Sequence, residues 1–354
     1  MLNKNVISKL GRILVLGAGG YMGRYYVNSL LQAGIDGKLI IGVDTNASNL
    51  REVAAAYPTP IYMEDIQEAL RLKPEIALVM VNSPIHQRVI EQCYEAGVRK
   101  FFSEKPLVYT LDQLRALDRL NLKNLYTGYL INFSGIVEDL FQFMDEKNLI
   151  VVQARSLWGK NWCAVDRPMG GDAEEEMPHS LALILSAIEK NQKIIGVESF
   201  ARFTYVPYMK PQVTKKAKML DLGFPEKLND SSLADFSIRT DRKTINAHIL
   251  TSFNLYEQQR RVEISFAEHG SNSDFPKFKA CLEFDTNGKD LLRIKNARND
   301  EEVLAREFKG NKLQEQLETV LKSFAGENID LRLVGFEQAS RLVRLIQKSI
   351  ESAN

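Results

Sequence analysis

"RILVLGAGGYMGRYYVNSLLQAG", residues 12–34, decides the fold. Ile13–Leu16 read as a short buried strand. A glycine-rich turn follows at once, and then a segment with apolar residues at helical spacing that closes on Gly34, a natural helix C-cap. A strand running through glycines straight into a helix suits a phosphate group. Glycine lets the backbone approach it, and the helix amino terminus offers unbonded N–H groups and the positive end of the dipole.

The same alternation continues outward. "LIIGVD", "IYM", "EIALVMV", "VRKFF" and "NLYTGY" are apolar runs, and helical patterns such as "NASNLREVAAAY", "SPIHQRVIEQCYEAG" and "LDQLRALDRL" lie among them. Continuous apolar strands, each followed by a helix, predict a parallel sheet covered on both faces. Residues 1–125 are therefore read as a doubly wound, Rossmann-type dinucleotide-binding domain. Residues 126–354 change character. "IVVQARSLW", "IIGVESFARFTYV", "ADFSIRT", "INAHILTSFNLY", "RRVEISFAE" and "FKACLEFDT" alternate polar with apolar residues, as strands with one wet face do. The expectation is an α+β domain with a large, mostly antiparallel open sheet. One long helix, "HSLALILSAIEK", interrupts it. A terminal helix over 331–352 packs on either domain.

Bulk composition narrows the function. With 354 residues, two domains are expected. Lys plus Arg (46) balance Asp plus Glu (45), a net charge of +1, so no nucleic-acid footprint is present. The longest apolar helix, "LALILSAI", is far short of the ~20 residues that span a bilayer. The amino terminus lacks a signal peptide's cleavage site. Three cysteines, Cys93, Cys163 and Cys281, have no paired spacing; they argue against a disulfide framework and a zinc site, and fit a reducing cytoplasm.

Gly17, Gly19 and Gly23 give G-x-G-x-x-x-G, one residue longer than the usual dinucleotide fingerprint; read from Ala18, the pattern is A-x-G-x-x-G. Tyr21 and Met22 open the following helix beside the cofactor. Asp44 ends the second strand, 27 residues after Gly17. A carboxylate there accepts hydrogen bonds from the ribose hydroxyls of NAD and repels the extra phosphate of NADP. Thr45 and Asn46 add no cation to receive that phosphate, so NAD is favoured over NADP. The alternative is that Asp44 caps the next helix. After the fourth strand, Asn82, Ser83, Pro84 and His86 line the loop that lies against the cofactor in such sheets, although His86 reads equally as a helix-surface residue.

"SEKP", residues 103–106, ends the fifth strand at the edge where ligands bind. Pro106 keeps Lys105 out of helical geometry. Glu104 is its natural partner. A lysine in this position hydrogen-bonds a substrate oxygen.

The fingerprint, the Ser-Pro loop, "EKP" after the fifth strand and "GYLINFS" (128–134) together resemble the Gfo/Idh/MocA oxidoreductase family, named for glucose-fructose oxidoreductase and inositol dehydrogenase. The resemblance covers the whole chain in architecture and is specific in "SEKP" and its spacing. It implies an NAD(P)-dependent enzyme acting on a secondary alcohol or ketone of a sugar, nucleotide sugar or cyclitol, with the substrate between the domains. The family's Asp-x-x-x-His signature is matched in "GGDAEEEMPHSLALILSAIEK" by His179, with Glu175 in place of aspartate. On one continuous helix from about residue 174, Glu175 and His179 lie one turn apart, with Glu174 and Glu176 solvated. The catalytic set implied is Lys105, His179 as base, and Glu175 either orienting His179 or binding a neighbouring hydroxyl. One histidine without a carboxylate pair excludes a metal site. Arg88 stands where relatives carry histidine, and Asn132 where many carry arginine.

Tyr129 and Asn132 of "GYLINFS", with Trp158 and Trp162, are the substrate-binding candidates; the tryptophans read equally as core or interface residues. Residues 204–232 have no readable code and suggest a lid or arm. Two rival functions remain: a non-catalytic NAD-binding regulator or scaffold, and a reductase of an imine or a linear-tetrapyrrole double bond. The wet face of the second sheet predicts a homodimer or homotetramer.

Overall fold

The computed structural model describes residues 2–161, 172–207, 227–252, 254–270, 275–327 and 329–353. In chain order they form α1 (Lys4–Ile7), β1 (Ile13–Leu16), α2 (Tyr21–Gln32), β2 (Ile40–Val43), α3 (Ala47–Ala56), β3 (Ile61–Met63), α4 (Ile66–Arg71), β4 (Ile76–Val79), α5 (His86–Glu95), β5 (Lys100–Glu104), α6 (Leu111–Asp118) and β6 (Asn124–Gly128). There follow α7 (Gly135–Glu146), β7 (Leu149–Asn161), α8 (Asp172–Glu175), α9 (Met177–Glu189), β8 (Ile194–Pro207), β9 (Lys227–Thr240), β10 (Thr244–Ser252), β11 (Asn254–Glu268), β12 (Phe278–Thr286), β13 (Lys289–Asn296) and β14 (Glu302–Phe308). The chain ends in α10 (Lys312–Phe324), β15 (Val334–Gly335) and α11 (Phe336–Ala353).

Two compact units result: Met1–Phe133 with Asn311–Val343, and Ser134–Gly310 with Arg344–Asn354. In the first, the strand order is β15-β6-β5-β4-β1-β2-β3, parallel except for β15. β1 pairs with β2 on one side and β4 on the other, Leu16 opposite both Val43 and Val79. The crevice where a doubly wound sheet binds ligands therefore opens above the carboxyl ends of β1 and β4.

Residues 311–343 return to the first unit; the sequence reading runs the second domain from 126 to 354 and leaves open only that the terminal helix, 331–352, packs on the first domain. The anchor is α10, a helix not read from the sequence. Leu317, Val320 and Leu321 are fully buried in the core beside Tyr26, Val27 and Leu30 of α2. Burying each such side chain stabilises by about 1.5–3 kcal/mol. Tyr126 Oη and Ser323 Oγ are 2.7 Å apart, adding a polar tie.

The second unit carries a sheet of order β14-β13-β12-β11-β7-β10-β9-β8. It is antiparallel apart from the β7–β10 pair. "INAHILTSFNLY" is not one strand: β10 ends at Ser252 and β11 begins at Asn254. β10 alternates, with Ile245, Ala247 and Ile249 buried and the residues between exposed. Helix α9 is buried all round rather than along one stripe, Leu181 to Leu185 and Ala187–Ile188 being fully enclosed.

Candidate active site

Three short segments of the first unit meet at the crevice. The glycine turn comes first. Gly17 has φ +78°, and a Cβ there would lie 2.7 Å from the Met80 carbonyl oxygen, so the loops after β1 and β4 are in contact. A Cβ on Gly23 would lie 2.0 Å from the Gly17 oxygen, which shows why α2 crosses the turn with glycine at that position. Gly17 and Gly23, the ends of the longer spacing, are thus in direct backbone contact. Gly20 stands at the N-cap of α2 and supplies no capping side chain. The positive dipole end of α2 thus begins directly at the glycine turn, the place a pyrophosphate would take. These features fit a dinucleotide.

Asp44 follows β2. Its Oδ2 accepts from the Gly19 N–H at 3.0 Å and its Oδ1 from the Asn46 N–H at 2.9 Å. The cap of α3 is Asn46, which accepts from the Ser48 and Asn49 N–H groups. Asp44 is thus free of the capping duty and lies against the glycine turn.

The third segment is the corner after β5. Glu104 Oε2 accepts from the Lys105 N–H at 3.3 Å. The Tyr26 hydroxyl lies 3.1 Å from Glu104 Oε1 and 2.9 Å from Gln316 Oε1. A carboxylate only accepts, so Tyr26 is its donor. Burial, then the Glu104 charge, raises the Tyr26 phenol well above its ordinary pKa, and the same two causes raise Tyr129. The Lys105–Pro106 peptide is cis. His86 is fully buried, not on the helix surface. Its Nδ1 lies 3.0 Å from the Pro106 oxygen and 3.2 Å from that of Leu107, and its Nε2 lies 2.9 Å from the Val81 oxygen. The imidazole ties the loop after β4 to the lysine corner. Pro84 and Ser83 form a single tight turn (Ser83–Ile85) before α5, with Asn82 ahead of it. Tyr129 is 1 % exposed, and Asn132 is fully buried with Nδ2 donating to the Arg332 oxygen at 3.3 Å.

In the second unit the helix carrying Glu175 and His179 is broken. Glu175 ends α8, Glu176 stands between, and α9 starts at Met177. Glu176 is not solvated: it is fully buried and accepts from Trp158 Nε1 at 2.8 Å. Removal of a carboxylate from water needs such partners. Trp158, 1 % exposed, stacks on His179 with centroids 5.4 Å apart and planes 22° from parallel, while Phe284 and the Arg260 guanidinium pack on the same indole. Trp158 is thus a backing plate for His179. Glu175 is 5 % exposed. Trp162 and Cys163 lie outside the described residues, as does most of the 204–232 stretch. Among the described residues, no cluster of His, Cys, Asp and Glu is arranged to hold a metal, and no helix is long and apolar enough to cross a membrane.

The sequence reading did not single out Arg24, Glu52, Tyr26 or Gln316. Only Tyr26 carried a local signal, an aromatic on the buried stripe of α2.

Residues 11–125 match the oxidoreductase family with an NAD-binding Rossmann fold, GFO_IDH_MocA. No curated protein matches the chain in sequence. The fold matches UDP-N-acetylglucosamine 3-dehydrogenase GnnA from Acidithiobacillus ferrooxidans at 17% identity and TM-score 0.70, over 97% of each chain. It matches levoglucosan dehydrogenase in complex with NADH and levoglucosan at 14% identity and TM-score 0.73, again over 97% of each. An NAD-binding oxidoreductase from Klebsiella pneumoniae matches at 12% identity and TM-score 0.73, over 97% of each.

Proposed function

We propose, from residues 11–125 of the first unit, which match the NAD-binding oxidoreductase family GFO_IDH_MocA, that this chain interconverts a secondary alcohol and a ketone. The substrate class proposed is a sugar, nucleotide sugar or cyclitol. The occurrence of the same fold in UDP-N-acetylglucosamine 3-dehydrogenase and levoglucosan dehydrogenase supports that class.

The observation that carries the reading is the Glu104-Lys105-Pro106 corner, held by Tyr26 and His86 at the carboxyl edge of the sheet that bears the glycine turn. Gly17, Gly19, the α2 amino terminus and Asp44 are the residues that would hold NAD, with Tyr21, Met22 and the Asn82–Pro84 turn beside them; Asp44 favours NAD over NADP. When bound, NAD supplies the hydride acceptor or donor. Lys105 donates hydrogen bonds to the oxygen of the reacting carbon as charge develops there. His179, its ring oriented by Trp158, accepts the hydroxyl proton in oxidation and returns it in reduction. Glu175 orients His179 or binds a neighbouring hydroxyl.

The outer face of the second sheet supports self-association. Leu157, Leu250 and Leu233 stand directly opposite one another on β7, β10 and β9. Leu250 and Leu233 are 41 % and 42 % exposed. The neighbouring rung carries the Arg155–Glu263 and His248–Asp235 pairs. A second copy related by a two-fold axis offers the same leucines and the same mixed charges.

The test is Lys105→Ala, assayed for NADH binding by fluorescence and for turnover with a panel of sugars and nucleotide sugars. Loss of one oxyanion donor is expected to lower kcat by about 10²–10³, with the NADH Kd changed little. Full turnover in the variant would sink the mechanism. NADH binding with no turnover of any substrate by the wild type would favour the non-catalytic regulator.

A further inference from the structure

Thr45 and Asn46, directly after Asp44, offer no cation for a second phosphate, yet the fold brings Arg24 of α2 to the same place. Arg24 lies on α2, and its Nε donates to the Gly19 oxygen at 2.7 Å. The N–H of that same glycine goes to Asp44 Oδ2 at 3.0 Å. Gly19 is therefore held on one side by the ribose carboxylate and on the other by a guanidinium. Arg24 Nη2 donates to Glu52 Oε2 on α3 at 2.8 Å. Arg24 also lines a cavity of about 430 Å³ with Gly19, Gly20, Tyr21, Asn49 and Tyr57. Asn49 packs directly against Gly19, since a Cβ on that glycine would fall 2.7 Å from the Asn49 Cβ and 3.0 Å from Asp44 Oδ2.

The groups joined here through Gly19 and the ion pair are Asp44, Glu52 and Arg24, two negative and one positive. A ribose hydroxyl is neutral and meets a carboxylate acceptor. A phosphate monoester carries about −1.5 to −2 at neutral pH and meets a net negative trio in which the Arg24 guanidinium is held by Gly19 and Glu52. With Glu52 removed, the planar fork of Arg24 is the group suited to bidentate phosphate contact.

We infer that the Glu52–Arg24 pair is a second determinant of cofactor choice: Glu52 keeps Arg24 closed to the 2′-phosphate of NADP, and Asp44 alone does not set the preference. The inference rests on the NAD-binding reading and goes beyond it to a residue pair on α2 and α3.

The experiment uses the full-length chain and measures Kd for NADH and NADPH by nicotinamide fluorescence, with no turnover required. Wild type, Asp44→Asn, Glu52→Gln, the double variant, and the double variant with Arg24→Met are compared. Asp44→Asn removes charge and keeps an acceptor for one of the two N–H groups. Unlocking a guanidinium for a charged hydrogen bond is expected to tighten NADPH in the double variant by about ten- to a hundredfold over Asp44→Asn alone. Arg24→Met on that background is expected to abolish the gain, and added salt to shrink it. Equal NADPH affinity in Asp44→Asn and the double variant would overturn the inference. So would a gain that survives Arg24→Met, because another cation would then receive the phosphate. Failure of the wild type to bind either nucleotide would instead overturn the cofactor reading. Melting curves without nucleotide separate lost binding from lost folding.

Discussion

Replacing Gly23 by alanine tests the glycine turn at one atom. The new methyl carbon would start 2.0 Å from the Gly17 oxygen, 2.7 Å from its carbonyl carbon and 2.8 Å from the Ala18 Cα. All three are backbone, so no flexible side chain can step aside. Either α2 retreats by roughly an ångström or the turn opens, and overpacking of this kind costs about 1–3 kcal/mol. Gly17 cannot follow easily, because its own φ of +78° and the Met80 carbonyl fix it from the other side. If the whole cost falls on the nucleotide-competent geometry, NADH binding weakens by about 5- to 150-fold. Gly20→Ala is the control: its φ is −71°, and a Cβ there comes no nearer than 3.2 Å to the Gly17 oxygen. The assay is NADH fluorescence titration of both variants, with melting temperatures alongside. Gly23→Ala binding NADH like wild type, or Gly20→Ala being the weaker of the two, would refute the argument that the Gly17–Gly23 contact shapes the site.

Other consequences follow from burial. Glu176→Leu leaves the Trp158 N–H without its acceptor, at about 1–3 kcal/mol, whereas Glu176→Gln keeps an oxygen there. The leucine variant should melt several degrees lower than the glutamine one, and equal melting temperatures would argue against the Trp158–Glu176 bond. Alkaline pH should destabilise the chain. Burial pushes the Cys93 thiol up to about 12, and burial followed by the Tyr57 interaction pushes Tyr62 up to about 12. The folded state thus keeps protons that the unfolded state releases from about pH 9–10. Stability is complete below that range and falls as pH rises towards 12; a melting temperature flat from pH 8 to 11 would contradict this. Tyrosinate absorbance should show Tyr26 and Tyr129 ionising only with unfolding. On the second sheet, Leu250→Glu should turn a self-associated species into a monomer by sedimentation at micromolar concentration, and a wild-type monomer would remove the proposed interface.

Much of the first unit was legible because its signals are local. A parallel strand buried on both faces is a continuous apolar run, so β1, β2, β4 and β5 stand out in the sequence. The glycine turn and the Ser103–Pro106 corner each lie within a few residues of a strand end. Asp44 was legible in kind, but its freedom from capping depended on Asn46 taking that duty. Helix α10 had a readable pattern in Leu313, Leu317, Val320, Leu321 and Phe324, yet nothing local says that it returns to the core of α2. Glu176, in a run of three glutamates, looked like a solvated face. Its burial was set by the break after Glu175 and by an indole N–H on β7 in need of an acceptor.

By itself, then, the sequence determined the strand–turn–helix that suits a dinucleotide, the lysine corner and the change of sheet type. Each follows from the period of the apolar residues or from backbone limits on glycine and proline. Tertiary structure alone decided that Tyr26 and Gln316 stand behind Glu104, that His86 clamps the corner, and that Arg24 reaches Glu52 beside Gly19 and Asp44. Those partners are 28 to 290 residues apart or turn on which way a ring is buried. A side chain's hydrogen-bond partner depends on how layers pack, and no local pattern encodes that.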